Sequence, residues 1–258
     1  MNIVVCVKQT VDLQQIRIRK ETREPVLENI PLTLGNIDKN ALEEAVRLKE
    51  KAGEGKIVAV SAGSEKLDDT IKEALAMGAD EAILVSDNAL DGAESVIAAQ
   101  ALAKAIGKVE GCDLILLGEG SADNYSGQVG PRLAEILDLP QVTYVKSMEI
   151  NGKTLKAVRS LDDCFETVEV ELPAVVTVVS EINEPRIPSV TQILKAGKKP
   201  KQSFKAADLG IDLSGKAVAT ISNLAPEQDR KRIIFQEGAD KDVPSLVSAL
   251  EADGALRR

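Results

Sequence analysis

The first half of the chain repeats one pattern, a short apolar run followed by a stretch with helical spacing. The runs are residues 2–7 (NIVVCV), 56–62 (KIVAVSA), 81–85 (EAILV) and 113–117 (DLILL). They are too continuously apolar for strands with one wet face, and they read as strands buried on both faces of a parallel sheet. Between them lie helical patterns over residues 38–51, 67–77 and 92–106. In the first, Ala41, Leu42, Ala45, Val46 and Leu48 share one face and Glu43, Glu44, Arg47, Lys49 and Glu50 the other, with Asp38 placed as the N-cap. Parallel strands need crossover connections of one hand, with helices on both faces of the sheet. The expectation is an α/β fold: a doubly wound, mostly parallel, Rossmann-like sheet. Ligands of such sheets lie beyond the carboxyl ends of the strands, where the strand order reverses. That rule gathers residues 6–8, 62–64 and 118–128 around one crevice.

The connection after the fourth run is residues 118–131, GEGSADNYSGQVGP, and a helical pattern over 132–137 follows it. Gly118, Gly120, Gly127 and Gly130 allow positive φ or a close approach of the backbone to a ligand. Ser121, Asp123, Asn124, Ser126 and Gln128 bring hydroxyl, carboxylate and amide groups to the same edge. The first-turn N–H groups of the helix favour an anion, most often a phosphate. Strand-to-helix connections usually take about 2–6 residues. This one is longer and polar, which favours a nucleotide over a plain capped turn.

Composition removes several alternatives. A net charge of −9 opposes a nucleic-acid groove, and two tyrosines, three phenylalanines and no tryptophan leave little for a base-stacking platform. No run approaches the ~20 apolar residues of a membrane span, and residues 1–7 read as a strand and not a signal peptide, so the expectation is a soluble, cytoplasmic protein without membrane insertion. Histidine is absent, which excludes Ser-His-Asp and Cys-His catalysis and His-ligated metals. Cys6, Cys112 and Cys164 show no CxxC spacing, so no metal or cluster site is expected from this chain. Any redox chemistry then falls to a bound organic cofactor, with no catalytic side chain.

After Pro140 the pattern changes. Residues 142–150 and 154–160 alternate around Asn151-Gly152, a hairpin signal. Residues 167–171 and 174–179 read as two more strands, so antiparallel strands extend the parallel sheet or pack near it. Residues 15–20 and 25–28 read as a half-exposed hairpin, 183–188 as irregular, and 195–201 as a solvated basic face. Apolar density falls beyond Asp208, and residues 243–252 form a lone amphipathic helix pattern after a charged linker. This divides the chain into an α/β domain, 1–213, and a C-terminal arm, 214–258, that packs locally or docks on another subunit.

Residues 41–51 (ALEEAVRLKEK), 74–80 (ALAMGAD), the glycine-rich loop and residues 172–199 together resemble the β subunit of electron-transfer flavoproteins, in the family's order and as far as about Leu213. The chain is most similar to the Fix-type branch through Ser121-Ala122-Asp123 followed by Tyr125, through Gln128-Val129-Gly130, and through INEPRIPSVTQILKAGKKP (182–200) leading into Ala206-Ala207-Asp208-Leu209-Gly210. The resemblance implies an adenine-nucleotide-binding domain paired with an α subunit that holds most of one FAD, the C-terminal arm docking on that subunit. It implies a second nucleotide in the crevice of this chain: AMP in respiratory members, FAD in bifurcating ones. There the FAD takes a hydride from NADH, and electrons pass to a quinone-side acceptor and to ferredoxin or flavodoxin. Further partners implied are a quinone reductase-like flavoprotein and a ferredoxin-like subunit.

Carried onto this sequence, the cofactor-binding positions are Cys6, Lys8, Ala62, Ser121, Asp123, Asn124, Gly127, Gln128 and Val129, with Ser126 beside them. Asp38 is the one residue of Gly35-Asn36-Ile37-Asp38 that matches the family's Asn-Pro-aromatic-Asp. Respiratory members place Asn-Gln-Thr where this chain has Gly127-Gln128-Val129, and loss of that hydroxyl tilts the expectation from AMP to FAD. Residues 184–195 match the family's recognition loop. Val190 stands at the anchor position, with Ile193 and Leu194 flanking it and Glu184, Pro185 and Arg186 leading in.

Overall fold

The computed structural model describes residues 1–213, 220–227 and 231–256, apart from the side chain of residue 69; the remaining residues of the expected arm, 214–219, 228–230 and 257–258, lie outside this description. Residues 1–17 with 26–222 form one compact unit, and 18–25 with 223–258 a second. The chain begins with β1 (Asn2–Cys6), β2 (Gln9–Val11), β3 (Arg17–Ile18), β4 (Pro25–Val26), β5 (Leu32–Leu34), α1 (Asn36–Ala52), β6 (Lys56–Gly63), α2 (Leu67–Met77), β7 (Glu81–Ser86) and α3 (Ser95–Ile106). It continues with β8 (Leu114–Gly118), α4 (Val129–Leu137), β9 (Gln141–Asn151), β10 (Thr154–Ser160), β11 (Phe165–Glu171), β12 (Ala174–Val178), α5 (Val190–Ala196), β13 (Lys201–Phe204) and α6 (Ala239–Ala252).

The main sheet has the order β11-β10-β9-β12-β8-β1-β6-β7-β13. Its centre is parallel: β1 pairs with β6 and β8, β6 with β7, and β12 with β8 and β9. Only β10 adds antiparallel ladders, one to β9 across the expected Asn151-Gly152 turn and one to β11. The fold is thus the α/β, doubly wound and mostly parallel sheet that the alternation predicts, with antiparallel strands at one edge.

The near-continuous apolar runs explain the layering. Odd and even residues of each central strand face opposite sides, and both sides are covered. Ile3, Val5, Ile57 and Leu84 meet Leu42, Ala45, Ile71 and Leu75 of α1 and α2. Val4, Val58, Val60 and Ile115 meet Ile97, Leu102 and Leu133 of α3 and α4. Each fully buried Leu, Ile or Val contributes about 1.5–3 kcal/mol, so both faces hold the sheet firmly.

Several expectations need correction. Residues 174–179 do not belong to the antiparallel extension. β12 enters between β8 and β9, parallel to both, and all its residues (AVVTV) are buried, which suits a central strand. The hairpin expected over 15–28 is reduced to the two-residue strands β3 and β4, while β2 and β5 form a further ribbon that the pattern did not reveal. The 195–201 run is not simply a solvated face. Lys199 donates to the carbonyls of Leu75 and Ala79 at 2.8 and 2.6 Å, closing the end of α2, and Lys201 opens β13 at the sheet edge. In the second unit, α6 starts four residues before the expected 243, and Val243, Leu246 and Val247 are exposed.

Candidate functional site

Strand order reverses between β1 and β8, because the chain leaves β1 for β6 and β7 but leaves β8 for β9 and β12. A cavity of about 310 Å³ opens at that point, at the carboxyl ends of the parallel strands. Cys6, Lys8, Asp38, Ala62, Ser121, Asp123, Asn124, Ser126, Gly127, Gln128 and Val129, all singled out from the sequence, line this one cavity.

Lys8 reaches from the end of β1 to the glycine-rich loop. Its Nζ donates to both oxygens of Asp123, at 2.8 and 2.9 Å, and to Ser121 Oγ at 3.2 Å. Partial burial pushes the Asp123 carboxyl up, but the bonds from Lys8 and Ser121 outweigh it and hold the group below the ordinary Asp value. The pair is part-exposed and contributes at most about 1 kcal/mol to stability. Its consequence is geometric, since it places a cation and an anion at the rim. Cys6 is buried in the cavity wall. Burial first, and the nearby Asp38 second, push its thiol well above the usual thiol range, so it is a small neutral surface and not a nucleophile.

Gln128 precedes α4 as its N-cap, without a side-chain capping bond. Its Oε1 accepts from Ser95 Oγ at 3.0 Å and from Arg132 Nε and Nη2 at 3.2 and 3.0 Å, tying the loop to the start of α3. The amides of Val129 and Gly130 are the first of α4, with no carbonyl one turn earlier in the helix, and Pro131 carries none. Gly130 is required by space: a Cβ there would stand 2.4 Å from Thr177 Cγ2 on β12. Only glycine lets the helix start this close to the sheet.

Asp38 corrects the expected cap. Gly35 precedes α1, and Asp38 sits inside the first turn. Its carboxylate accepts the backbone N–H groups of Lys8 and Gly118, not one from its own helix. Burial raises its carboxyl to about 6, and these two amides only partly offset that. Tyr125 is absent from the cavity lining. A Cβ on Gly120 would lie 3.2 Å from its ring, and its hydroxyl donates to Glu119, a bond that pushes the phenol up to about 12.

The sequence reading missed one wall. Leu90, Asp91, Gly92, Ala93, Ser95 and Ala98, from the connection after β7 and the start of α3, also line the cavity. A signal was present, because β7 is parallel to β6 and must end at the same edge. Leu90, Ala93 and Ala98, with Leu102 and Leu117, add apolar lining to the cavity. First-turn amides, an ammonium, a carboxamide and an apolar flank are the donor set that a phosphate-bearing adenine nucleotide needs.

The segment expected to be the recognition loop lies elsewhere, on α1. Arg186 donates to Glu43 through Nε at 2.7 Å and to Glu50 through Nη1 at 2.7 Å. Asn40 Nδ2 donates to the Asn183 carbonyl at 2.7 Å, and Asn183 Nδ2 donates to the Asn40 carbonyl and to Glu44 Oε2, each at 3.0 Å. Glu43 and Glu44, expected on the wet face of α1, are therefore buried under this segment. Burial pushes the Glu43 carboxyl up, but Arg186 and Arg47 more than reverse it; at Glu44 burial prevails and the carboxyl is raised. Glu184, Pro185 and Arg186 belong to the irregular stretch, as expected, but residues 190–196 form α5, with Ser189 and Gln192 completing a capping box. Val190, 74% exposed, and Ile193 stand outward, as do Leu194 and, at 92%, Ile187.

No helix among the described residues is long and apolar enough to cross a membrane, and no group of three or more Asp, Glu or Cys among them is placed to hold a metal ion.

Fold and crevice together define a doubly wound α/β protein with its ligand cavity at the sheet's switch point. Comparison with known proteins narrows this class. Residues 26–209 match the electron transfer flavoprotein domain. The chain is 40% identical to the electron transfer flavoprotein subunit beta of Thermoanaerobacterium thermosaccharolyticum over 98% of both chains, and 40% identical to that of Clostridium acetobutylicum over 82% of this chain and 81% of the relative. It is 36% identical to the caffeyl-CoA reductase-Etf complex subunit CarD of Acetobacterium woodii over 82% of this chain and 80% of that one. The chain belongs to the electron transfer flavoprotein family, as a β subunit. β subunits of this family pair with an α subunit, and the family is associated with flavin and AMP.

Proposed function

We propose that this chain is the β subunit of a Fix-type, electron-bifurcating electron transfer flavoprotein and that its crevice holds FAD. The observation that supports this most is the loop Gly127-Gln128-Val129 at the start of α4, inside the switch-point cavity. Where a threonine hydroxyl would serve a terminal phosphate, Val129 offers only its amide and an apolar side chain. The amides of Val129 and Gly130 and the Lys8 ammonium hold a diphosphate. Leu90, Ala98 and Leu102 form the flank for a flat apolar ring. FAD, when bound, supplies a two-electron acceptor for hydride from NADH and returns the electrons singly, one to a quinone-side acceptor by way of the α-held flavin and one to ferredoxin or flavodoxin.

The second reading is a non-bifurcating carrier with AMP in the same place, shuttling electrons from dehydrogenases. A volume near 310 Å³ supports it, since that is the lower end of the ~300–1,000 Å³ range of ligand pockets and suits a mononucleotide.

In this reading two groups of exposed apolar side chains make the partner contacts. Val243, Leu246 and Val247 of the C-terminal arm dock on the α subunit. Val190 and Ile193, on a segment rooted by Glu184, Pro185 and Arg186, engage redox partners, among them a quinone reductase-like flavoprotein and a ferredoxin-like subunit. The deciding measurement is nucleotide content of the purified αβ heterodimer. Two FAD per heterodimer with bleaching by NADH are expected. One FAD with one AMP selects the second reading, and no nucleotide at the β site overturns both.

A further inference from the structure

The ladder between β1 and β8 ends at Val5 and Leu116. Beyond it each strand stays with its outer neighbour. Val7 donates to the Val60 carbonyl of β6 at 2.9 Å, and Glu119 donates to the Val178 carbonyl of β12 at 3.0 Å. The two halves of the sheet therefore part where the crevice opens, and Asp38 spans the gap. Its Oδ2 accepts the Lys8 N–H at 2.8 Å and its Oδ1 accepts the Gly118 N–H at 3.1 Å. The carboxylate is closely walled: a Cβ on Gly35 would stand 2.7 Å from Oδ2, and one on Gly118 would stand 2.8 Å from Oδ1.

Burying a carboxylate to 7% exposure is costly, and the raised carboxyl of Asp38 reflects that cost. The titratable groups around it are Cys6 and Lys8 at the end of β1 and Asp123 in the loop. A neutral Asn of the same shape would be cheaper to bury. It could accept only one of the two amides, because its own NH₂ would face the other. Two amides from two strands converging on one group call for an acceptor on both oxygens.

We infer that Asp38 is the positioning residue of the crevice: by accepting one backbone amide from each half of the sheet, it sets the separation of Lys8 and Gly118 and hence how the Lys8 ammonium meets the glycine-rich loop. Asp38 need not touch the nucleotide to control its binding. The nucleotide part of this inference rests on the reading of the crevice given above, whereas the backbone part stands on the hydrogen bonds alone.

The test uses the αβ heterodimer, with hydrogen exchange at Lys8 and Gly118 read beside that of the β1–β8 ladder, and with the affinity of the β site for its own nucleotide. Asp38→Asn is expected to speed exchange at one of the two amides about tenfold or more, to leave the ladder protected, and to weaken nucleotide binding about tenfold. Lys8→Ala should keep both amides protected while weakening the nucleotide, separating the side chain of Lys8 from the placement of its backbone. Should Asp38→Asn fail to fold, Gly118→Ala pushes on the same oxygen and carries the same expectation. Unchanged exchange in a folded variant would overturn the inference, as would loss of protection along the whole ladder, which marks a general structural role. Faster exchange with unaltered affinity would overturn the link to binding. A wild-type heterodimer without nucleotide at this site would sink the functional reading instead, leaving the exchange data to decide the role of Asp38.

Discussion

Helix α1 serves two regions in opposite ways. At its first turn Asp38 reaches into the switch point and ties backbone to backbone. Over its next three turns Asn40, Glu43, Glu44 and Glu50 hold the root of the 183–195 segment through Asn183 and Arg186. The crevice is built from fixed main chain, glycines without room for a Cβ, and small buried side chains. The segment proposed for recognition is built from polar anchors at its root and apolar side chains left in the open. A site for a small ligand needs its donors in place beforehand, because only the surplus over ordering costs appears as affinity. A docking segment needs a firm base and an exposed apolar tip, because a few desolvated side chains carry most of a protein interface.

The contrast can be broken in four ways, and the largest expected effect is on the crevice. Asp123→Ala unties the loop from Lys8 and should strip the nucleotide from the β site while the α-held flavin remains. Flavin and AMP counts per heterodimer measure this, and equal loss at both sites would defeat the assignment. Second is pH. The carboxyl of Asp38 is raised from 3.8 to about 6, so its contribution to stability is present below its unfolded value and is lost as pH rises through about 6. Between about pH 4 and about pH 7.5 the wild type should therefore lose roughly 2 kcal/mol relative to Asp38→Asn, read by denaturant unfolding at each pH. Parallel pH curves for the two proteins would show that the carboxylate is not buried as described.

The recognition side should respond in the other sense. Glu43 and Glu50 are held below the ordinary carboxylate range by Arg186, so the stability they confer is present above that range and lost on acidification through their lowered values. Arg186→Ala should cost about 2 kcal/mol at neutral pH, since Glu43 stays buried with only Arg47 beside it, and should leave nucleotide content unchanged. A fall in nucleotide content would mean that the two regions are coupled through α1. Smallest in energy is Val190→Asp. It should lower acceptor turnover about tenfold without altering stability or nucleotide content, as expected when one exposed anchor is lost. Unchanged turnover would remove Val190 from the docking surface.

How much of this was legible in the chain depended on the range of the interaction. The four apolar runs 2–7, 56–62, 81–85 and 113–117 became β1, β6, β7 and β8 because a strand buried on both faces declares itself residue by residue. The glycine-rich loop was legible for the same reason, its length and composition being local. Asn151-Gly152 marked its hairpin because that turn needs only its own residues. By contrast, Glu43 and Glu44 read as a solvated face because nothing near them in sequence shows that Asn183 and Arg186 will cover them. Likewise Asp38 had the position and chemistry of an N-cap, and only the return of β8 beside β1 offered its carboxylate two better donors.

Local pattern by itself thus determined the four central strands and the helices between them, that the sheet is mostly parallel, and which loop carries the polar groups of the crevice. These depend on side-chain period and backbone permissiveness, which neighbours along the chain supply. Tertiary structure alone decided that β12 inserts beside β8 and that one buried carboxylate joins the two halves of the crevice. Those outcomes depend on donors and acceptors far apart in sequence, and their partners exist only once the sheet has assembled.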